Sequence, residues 1–245
     1  MLKIVAGTHR RPWFVSIACI LALVVAAGVA LWHVSRSRCF VLAGAVTCRV
    51  ETSTALVALT FDDGPTPLGV ETLLPELERH GASATFFLTG REATQRPDLV
   101  RAIVAAGHEV GNHSFTHQRM VGHSARFYAD EIRRTQAALR WAGAESRSFR
   151  PPYGKKLVGL PLAVKDARLR LVLWDVEDPA TSDPAKFAEE VVQSARPGSI
   201  ILLHAMYSSN GTARAALPAI LVGLQKKGLR VVSVSELLTT SAGPL

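Results

Sequence analysis

The sequence lacks acidic residues over its first 50 positions. The six charged side chains there are all basic: Lys3, Arg10, Arg11, Arg36, Arg38 and Arg49. The remaining residues carry 22 Lys or Arg and 20 Asp or Glu, so six of the eight net positive charges belong to the N-terminal segment. A body so near neutrality offers no electrostatic surface to a polyanion, and we expect no nucleic-acid partner.

Charge is scarce over the whole chain. Charged residues make up 20% of the 245 positions and hydrophobic residues 48%, which excludes a disordered or collagen-like chain. A chain of this length suits one main domain with a sizeable hydrophobic core.

One segment has no charge at all. Trp13 to Trp32 is a run of 20 residues, which as a helix spans about 30 Å of bilayer hydrocarbon, with tryptophan at both ends as at a membrane interface. We predict a basic cytoplasmic tail over residues 1–12, a transmembrane anchor over 13–34, a juxtamembrane linker over 35–53 and the main domain over 54–240. The bilayer is thus an expected partner. Basic residues flank the run on both sides, so charge alone does not set its orientation.

A cleaved signal peptide is the main alternative, although the apolar part of a signal peptide usually has only about 7–15 residues. A buried core helix fits poorly because no polar residue marks an outer face. Cysteines are few: Cys19 lies inside the apolar run, and Cys39 and Cys48 follow it. The latter pair either remains as free thiols or closes a small disulfide loop, which would place the main domain on the periplasmic or extracellular side.

From Glu51 onward, short apolar strands alternate with amphipathic helices. The predicted strands are Thr54–Thr60, Ala84–Thr89, His108–Gly111, a short one from Ser148, Arg170–Trp174, Ser199–Leu203 and Leu229–Val234. The predicted helices are Val70–His80, Pro97–Ala106, Ser124–Trp141, Pro184–Ala195 and Thr212–Lys227. Repeated βα units indicate an α/β fold with a parallel sheet, and seven of them in so short a chain favour a compact barrel. Catalytic groups of such barrels lie at the C-terminal ends of the strands.

Titratable residues follow several of these strands. Asp62 and Asp63 end the first strand, where the alternative is an ordinary Asp-Gly-Pro turn. His113 and His117 follow the third strand with a spacing that suits a metal if the segment is helical. Two histidines and one carboxylate would hold a metal and leave positions open for water and substrate.

Two further residues complete the pattern. Arg150 follows the fourth strand and offers a fork that suits a carboxylate, with a surface arginine as the alternative. His204 closes the apolar sixth strand, where its near-neutral pKa suits proton transfer, with a core histidine as the alternative. Four strand ends with such residues favour one catalytic site.

Five ordered motifs between Thr54 and Leu238 resemble those of the polysaccharide deacetylase family, the NodB-homology group of carbohydrate esterases: TFDDG, HSFTH, RPPYG, the LWDVED region and ILLH. The resemblance implies a distorted (β/α)7 barrel behind one transmembrane helix. It implies a hydrolase that removes acetyl groups from N-acetylated sugars of a cell-envelope polysaccharide. It also implies one divalent metal ion, zinc first with Co, Mn or Ni as alternatives, and no organic cofactor.

The same motifs imply residue roles. Asp62 would be the general base, held by Arg150, and His204 the general acid. The metal ligands would be Asp63, His113 and His117, and the backbone N–H of Tyr153 would help to bind the oxyanion.

The sequence departs from the family pattern in its fourth motif. Ala180 and Thr181 stand where the family usually has an Asp-Trp pair, whose Asp tunes the catalytic histidine. Glu177 or Asp178 could replace that acid, or both could be ordinary loop charges. Trp174, Met206 and Tyr207 are predicted to line the substrate, with ordinary loop packing as the alternative.

Three other functions remain open. The altered motif keeps alive a deformylase or O-deacetylase acting on a lipid-linked or other sugar. A non-catalytic glycan-binding module would keep the fold without turnover. An iron oxygenase also uses two histidines and a carboxylate, but such sites usually lie on antiparallel jelly rolls rather than on βα repeats. If the helix is a signal peptide, the protein is secreted.

Overall fold

The computed structural model describes residues 12–241. Seven parallel strands form one sheet in the order β5-β4-β3-β2-β1-β6, and β7 pairs with the first half of β1. The strands are β1 Leu56–Asp62, β2 Thr85–Leu88, β3 Glu109–Asn112, β4 Ser148–Phe149, β5 Arg170–Leu171, β6 Ile200–His204 and β7 Arg230–Val232. All seven predicted strands are therefore present, with bounds shifted by one to three residues.

Helices connect the strands. Within residues 12–241 they are α1 Pro12–Arg36, α2 Pro67–Arg79, α3 Gly90–Gln95, α4 Pro97–Ala105, α5 Ala125–Trp141, α6 Gly159–Asp166, α7 Pro184–Ser194, α8 Gly211–Lys226 and α9 Val234–Leu238. Side chains of Thr66 and Ser124 accept backbone N–H groups at the starts of α2 and α5, and Gly107 follows α4 at φ 81°. The predictions missed α3, α6 and α9, which are too short to show a helical period.

The sheet curls until its two edges meet. Beyond β5 the chain stays extended, and Val176 forms a parallel bridge to Ile201 of β6. The backbone N–H of Asp175 also donates to the carbonyl of Ile200 at 3.2 Å. The strands therefore enclose a distorted barrel of the predicted class.

Side chains alternate between the two faces of each strand. Val57, Leu59 and Phe61 of β1 belong to the hydrophobic cluster shared with the surrounding helices. Leu56 and Ala58 belong to a second cluster, inside the barrel. Asp62 shares the parity of this inner set, so β1 carries a carboxylate to the top of the barrel interior.

The segment before β1 packs against the seam of the barrel. Cys39 and Cys48 form a disulfide, as one of the two predicted alternatives required. Thr47 bridges to Val172, and the N–H of Leu173 donates to the Thr47 carbonyl at 2.8 Å. Val50 is 3% exposed. Part of the region predicted as a linker therefore contributes to the core.

Helix α1 stands apart from this core. Its stretch Val15–Arg36 has 22 residues, is apolar enough to cross a membrane and has no buried residues in its most apolar part. The predicted basic tail, residues 1–12, lies outside the described residues except for Pro12.

Candidate active site

Asp62 and Asp63 occupy the C-terminal end of β1 but point in different directions. Asp62 is 2% exposed and pairs in register with His204 of β6. Asp63 has a φ of 75°, a left-handed conformation that is unusual for a residue with a side chain. This conformation turns the second carboxylate away from the strand, toward the loop that follows β3.

Asp63, His113 and His117 form a cluster with the chemistry of a metal site. Their nearest ligand atoms all lie within 4.8 Å of one another. Oδ1 of Asp63 is 3.2 Å from Nε2 of His117 and 3.8 Å from Nε2 of His113. Among the described residues this buried oxygen has no hydrogen-bond donor, an uncompensated position that a cation would satisfy.

His113 is held in the form that binds metals. Its Nδ1 lies 2.8 Å from the carbonyl oxygen of Arg150, which can only accept, so Nδ1 carries the proton and Nε2 keeps its lone pair. Burial lowers the pKa of His113, which favours the neutral ring. The residues present therefore fit a divalent cation.

The segment between the two histidines is a turn and not a helix. Ser114 and His117 have φ values of 64° and 58°, and the Ser114 hydroxyl accepts the N–H of His117 at 3.2 Å. Glu131 of α5, 4% exposed, accepts the N–H groups of Phe115 and Thr116 at 2.9 and 2.8 Å. The backbone strain and these hydrogen bonds fix the loop, as is common at functional sites.

Arg150 reaches Asp62 through the barrel interior. Its guanidinium donates to Oδ1 of Asp62 at 2.6 Å and to the Thr60 hydroxyl at 2.7 Å. The side chain is fully buried and lies 4.1 Å from the centre of the Phe87 ring. This contact keeps one oxygen of Asp62 occupied and leaves the other facing the histidines.

His204 lies across the mouth, paired with Asp178. The Asp178 carboxylate accepts the Nδ1 proton of His204 at 2.6 Å. Burial acts to lower the pKa of His204, but the hydrogen bond to Asp178 and the charges of Asp62 and Asp63 outweigh it and raise the pKa to about 9. The imidazolium therefore predominates at neutral pH, with Nε2 able to donate a proton.

Residues 49–172 match the family model described as "Polysaccharide deacetylase". The chain belongs to the polysaccharide deacetylase family. It is thus an enzyme of the carbohydrate deacetylase class.

Named relatives support this assignment. The chain is 35% identical to a Bacillus cereus peptidoglycan-N-acetylglucosamine deacetylase over 80% of its length and 93% of the relative. It is 39% identical to a Sinorhizobium fredii chitooligosaccharide deacetylase over 64% of this chain and 74% of that one. A Streptomyces lividans family 4 carbohydrate esterase, solved in complex with acetate, superposes with a TM-score of 0.70 at 36% identity, covering 78% of this chain and 99% of that one.

Of the two acids predicted as partners of His204 in this deacetylase, the structure selects Asp178. Glu177 instead accepts the indole N–H of Trp174 at 2.9 Å and pairs with Arg38 at 3.1 Å. Trp174 is only 7% exposed, so little of it lies at the surface of the mouth. Tyr153 is 55% exposed, has a φ of 58° and stacks its ring 5.0 Å from His117.

Tyr207 and Met206, predicted together as a substrate wall, have different positions. The Tyr207 hydroxyl donates to Glu92 at 2.7 Å, and its side chain lines a cavity of about 170 Å³ with Asp63 and His117. Met206 is fully buried: a Cβ atom on Gly69 would lie 2.6 Å from its sulfur. The prediction that Met206 lines the substrate is therefore wrong, because that side chain supports the turn after β1 from below.

The sequence analysis missed two residues that hold the site together, Thr60 and Glu131. Thr60 lies two positions before Asp62 and therefore on the same face of β1. Glu131 is the acidic member of a buried helix face that includes Tyr128 and Thr135. A polar residue on an otherwise apolar face was the available signal in both cases.

Proposed function

We propose that this chain is a membrane-anchored, metal-dependent deacetylase that removes acetyl groups from N-acetylated sugars of a cell-envelope glycan. The observation that carries the proposal is the convergence of three sets at one barrel mouth. These are the metal-type cluster Asp63, His113 and His117, the Asp62–Arg150 pair and the His204–Asp178 pair.

The cluster would hold one divalent cation, with zinc as the first choice for two imidazoles and a carboxylate. Such an ion, when bound, lowers the pKa of water and polarises a carbonyl. Cobalt, manganese and nickel are the alternatives to test.

The other residues handle protons and charge. Asp62, held in place by Arg150, accepts a proton from the attacking water, while the other oxygen of its carboxylate stays on the guanidinium. The backbone N–H of Tyr153 donates to the oxyanion that develops on the amide carbonyl. His204 donates its Nε2 proton to the departing amine, which leaves as a neutral amino sugar beside acetate.

The relatives' names support a glycan substrate. They act on N-acetylglucosamine in peptidoglycan and on chitooligosaccharides, which share an acetamido group on a sugar. We extend this acetamido chemistry to the present chain. Tyr207 and the edge of Trp174 would contact the sugar around that group.

The location follows from the N-terminal region. The apolar helix α1, proposed as an anchor over residues 13–34, precedes a disulfide that persists only in an oxidising compartment. We therefore place the catalytic domain, proposed over residues 54–240, on the periplasmic or extracellular side. An N-terminus that starts after α1 in the mature protein would instead identify secretion.

The test is acid release by the full-length protein in detergent. Peptidoglycan, chitooligosaccharides and acetylated xylan are offered to zinc-loaded protein, and acetate and formate are measured separately. Acetate from an N-acetylated glycan is the expected product. Formate, or acetate from xylan alone, would support a deformylase or an O-deacetylase. Tight glycan binding with no acid from any substrate would support a binding module.

A further inference from the structure

The end of α1 lies beside the mouth of the active site. Lys156 is 1% exposed, and its ammonium group donates to the carbonyl of Ser37, immediately after α1. Lys156 follows Tyr153 by three residues, and the Tyr153 ring contacts His117. The loop that borders the metal-type cluster is thus the same loop that receives the end of the membrane helix.

Three cations meet at this junction. The Arg119 guanidinium lies 5.1 Å from the centre of the Tyr153 ring. Burial, and then the positive charges of Arg36 and Arg119, lower the pKa of Lys155. Within residues 12–241, none of the three forms an ion pair with a carboxylate. Clustered like charges without a counter-ion attract an anion.

The junction also has the character of a bilayer interface. Arg36 packs over the ring of Trp32, 4.3 Å from its centre, at the end of the apolar run. Phe40 and Leu42, which follow directly, are 50% and 47% exposed, and Val158 on the facing loop is 42% exposed. Tryptophan, exposed apolar side chains and arginine together are typical of the headgroup level of a membrane.

We propose that Arg36, Arg119 and Lys155 bind the phosphate of a membrane lipid that carries the N-acetylated sugar, so that the substrate enters the site from the bilayer surface. The inference rests on the proposed deacetylase function and adds the substrate class, a lipid-linked sugar. Arginine and lysine side chains donate several charge-assisted hydrogen bonds to phosphate oxygens. A sugar placed over Tyr153 then has its phosphate toward Arg119 and its acetamido group toward His117.

The test compares three substrates with zinc-loaded, full-length protein in bilayer nanodiscs. They are N-acetylglucosamine diphosphate joined to a short isoprenoid, N-acetylglucosamine 1-phosphate and N-acetylchitotriose. The first carries phosphate and lipid, the second phosphate alone and the third neither. The variants are the double change Arg119→Ala with Lys155→Ala, the charge-preserving Lys155→Arg, and Lys226→Ala as a matched control at the opposite end of the barrel.

We expect kcat/KM for the lipid-linked sugar to exceed that for N-acetylchitotriose, and the double variant to reduce this ratio by about tenfold, the loss of one charge-assisted contact. Lys155→Arg and Lys226→Ala should keep the ratio, and high salt should reduce it. An unchanged ratio in the double variant contradicts the proposal.

Two other outcomes separate its parts. Equal preference for N-acetylglucosamine 1-phosphate would overturn the lipid requirement, since phosphate alone would account for the gain. Absence of acetate from all three substrates with the wild-type protein would overturn the proposed function itself. Acetate from N-acetylchitotriose without any preference for phosphate would overturn only this inference.

Discussion

The two sides of the catalytic mouth are built differently. The metal-type side is buried and rigid: Asp63 and His113 are 9% and 2% exposed, and Asp63, Ser114 and His117 all have positive φ values. The proton-donating side is open, with the side chains of His204 and Asp178 39% and 28% exposed. One side fixes geometry at the cost of backbone strain, while the other keeps a residue whose pKa its neighbours adjust.

The largest effect is expected on the rigid side. Asp63→Ala removes the oxygen that faces both imidazoles, so bound zinc and acetate release should both be lost. The loss of affinity should exceed the roughly 10–100-fold cost of losing an outer-shell partner. Metal analysis of the purified variant checks this, with the surface change Asp98→Ala as control. Full zinc content in Asp63→Ala would remove that residue from the site.

His204→Gln should reduce kcat by about 10²–10⁴-fold without loss of zinc, because it removes the proton donor and leaves the cluster intact. Acetate release and zinc content are measured on the same preparation. A parallel loss of zinc would show that the two sides are not independent.

Asp178→Asn should change the pH profile. The pKa of His204 is raised to about 9, so the acid is protonated below that pH and activity falls as pH rises through it. Removing the Asp178 charge lowers this pKa, and the alkaline limb of kcat/KM should move to lower pH. Glu177→Gln, which alters the neighbouring acid, should leave the limb in place. A limb that stays fixed in Asp178→Asn would mean that Asp178 does not tune His204.

The smallest effect is expected from Glu131→Gln. The loop with both histidines loses a charged acceptor for the N–H groups of Phe115 and Thr116, but the ligands remain. Zinc affinity should fall by about tenfold, at the low end for outer-shell changes. Competitive titration with a chelator measures it, and the exposed Glu145→Gln serves as control. Wild-type affinity would show that the strained turn holds itself.

The sequence predicted the rigid side better than the open side. Asp63, His113 and His117 stand in short motifs at strand ends, where local spacing decides which side chains meet. Asp178 lies in a loop without periodicity, so only the three-dimensional path of that loop distinguishes it from Glu177. Met206 was misplaced because its burial depends on Gly69, a contact between residues far apart in sequence.

The same reason explains the differences in the fold. Strands and long helices follow from alternation and helical period, and these were predicted within a few residues. Thr47 and Val50 were assigned to a linker because a single extended segment has no pattern of its own. Their contacts with Val172 and Gly198 arise only once the barrel has closed.

The most direct test of the account is a zinc titration of metal-free, full-length protein during hydrolysis of N-acetylchitotriose. The account predicts no acetate in the presence of chelator, and a rate that rises with added zinc to a plateau at one ion per chain. His204→Gln should bind the same amount of zinc and reach a plateau at least about a hundredfold lower. Undiminished acetate release in chelator, or equal plateaus for the two proteins, would contradict it.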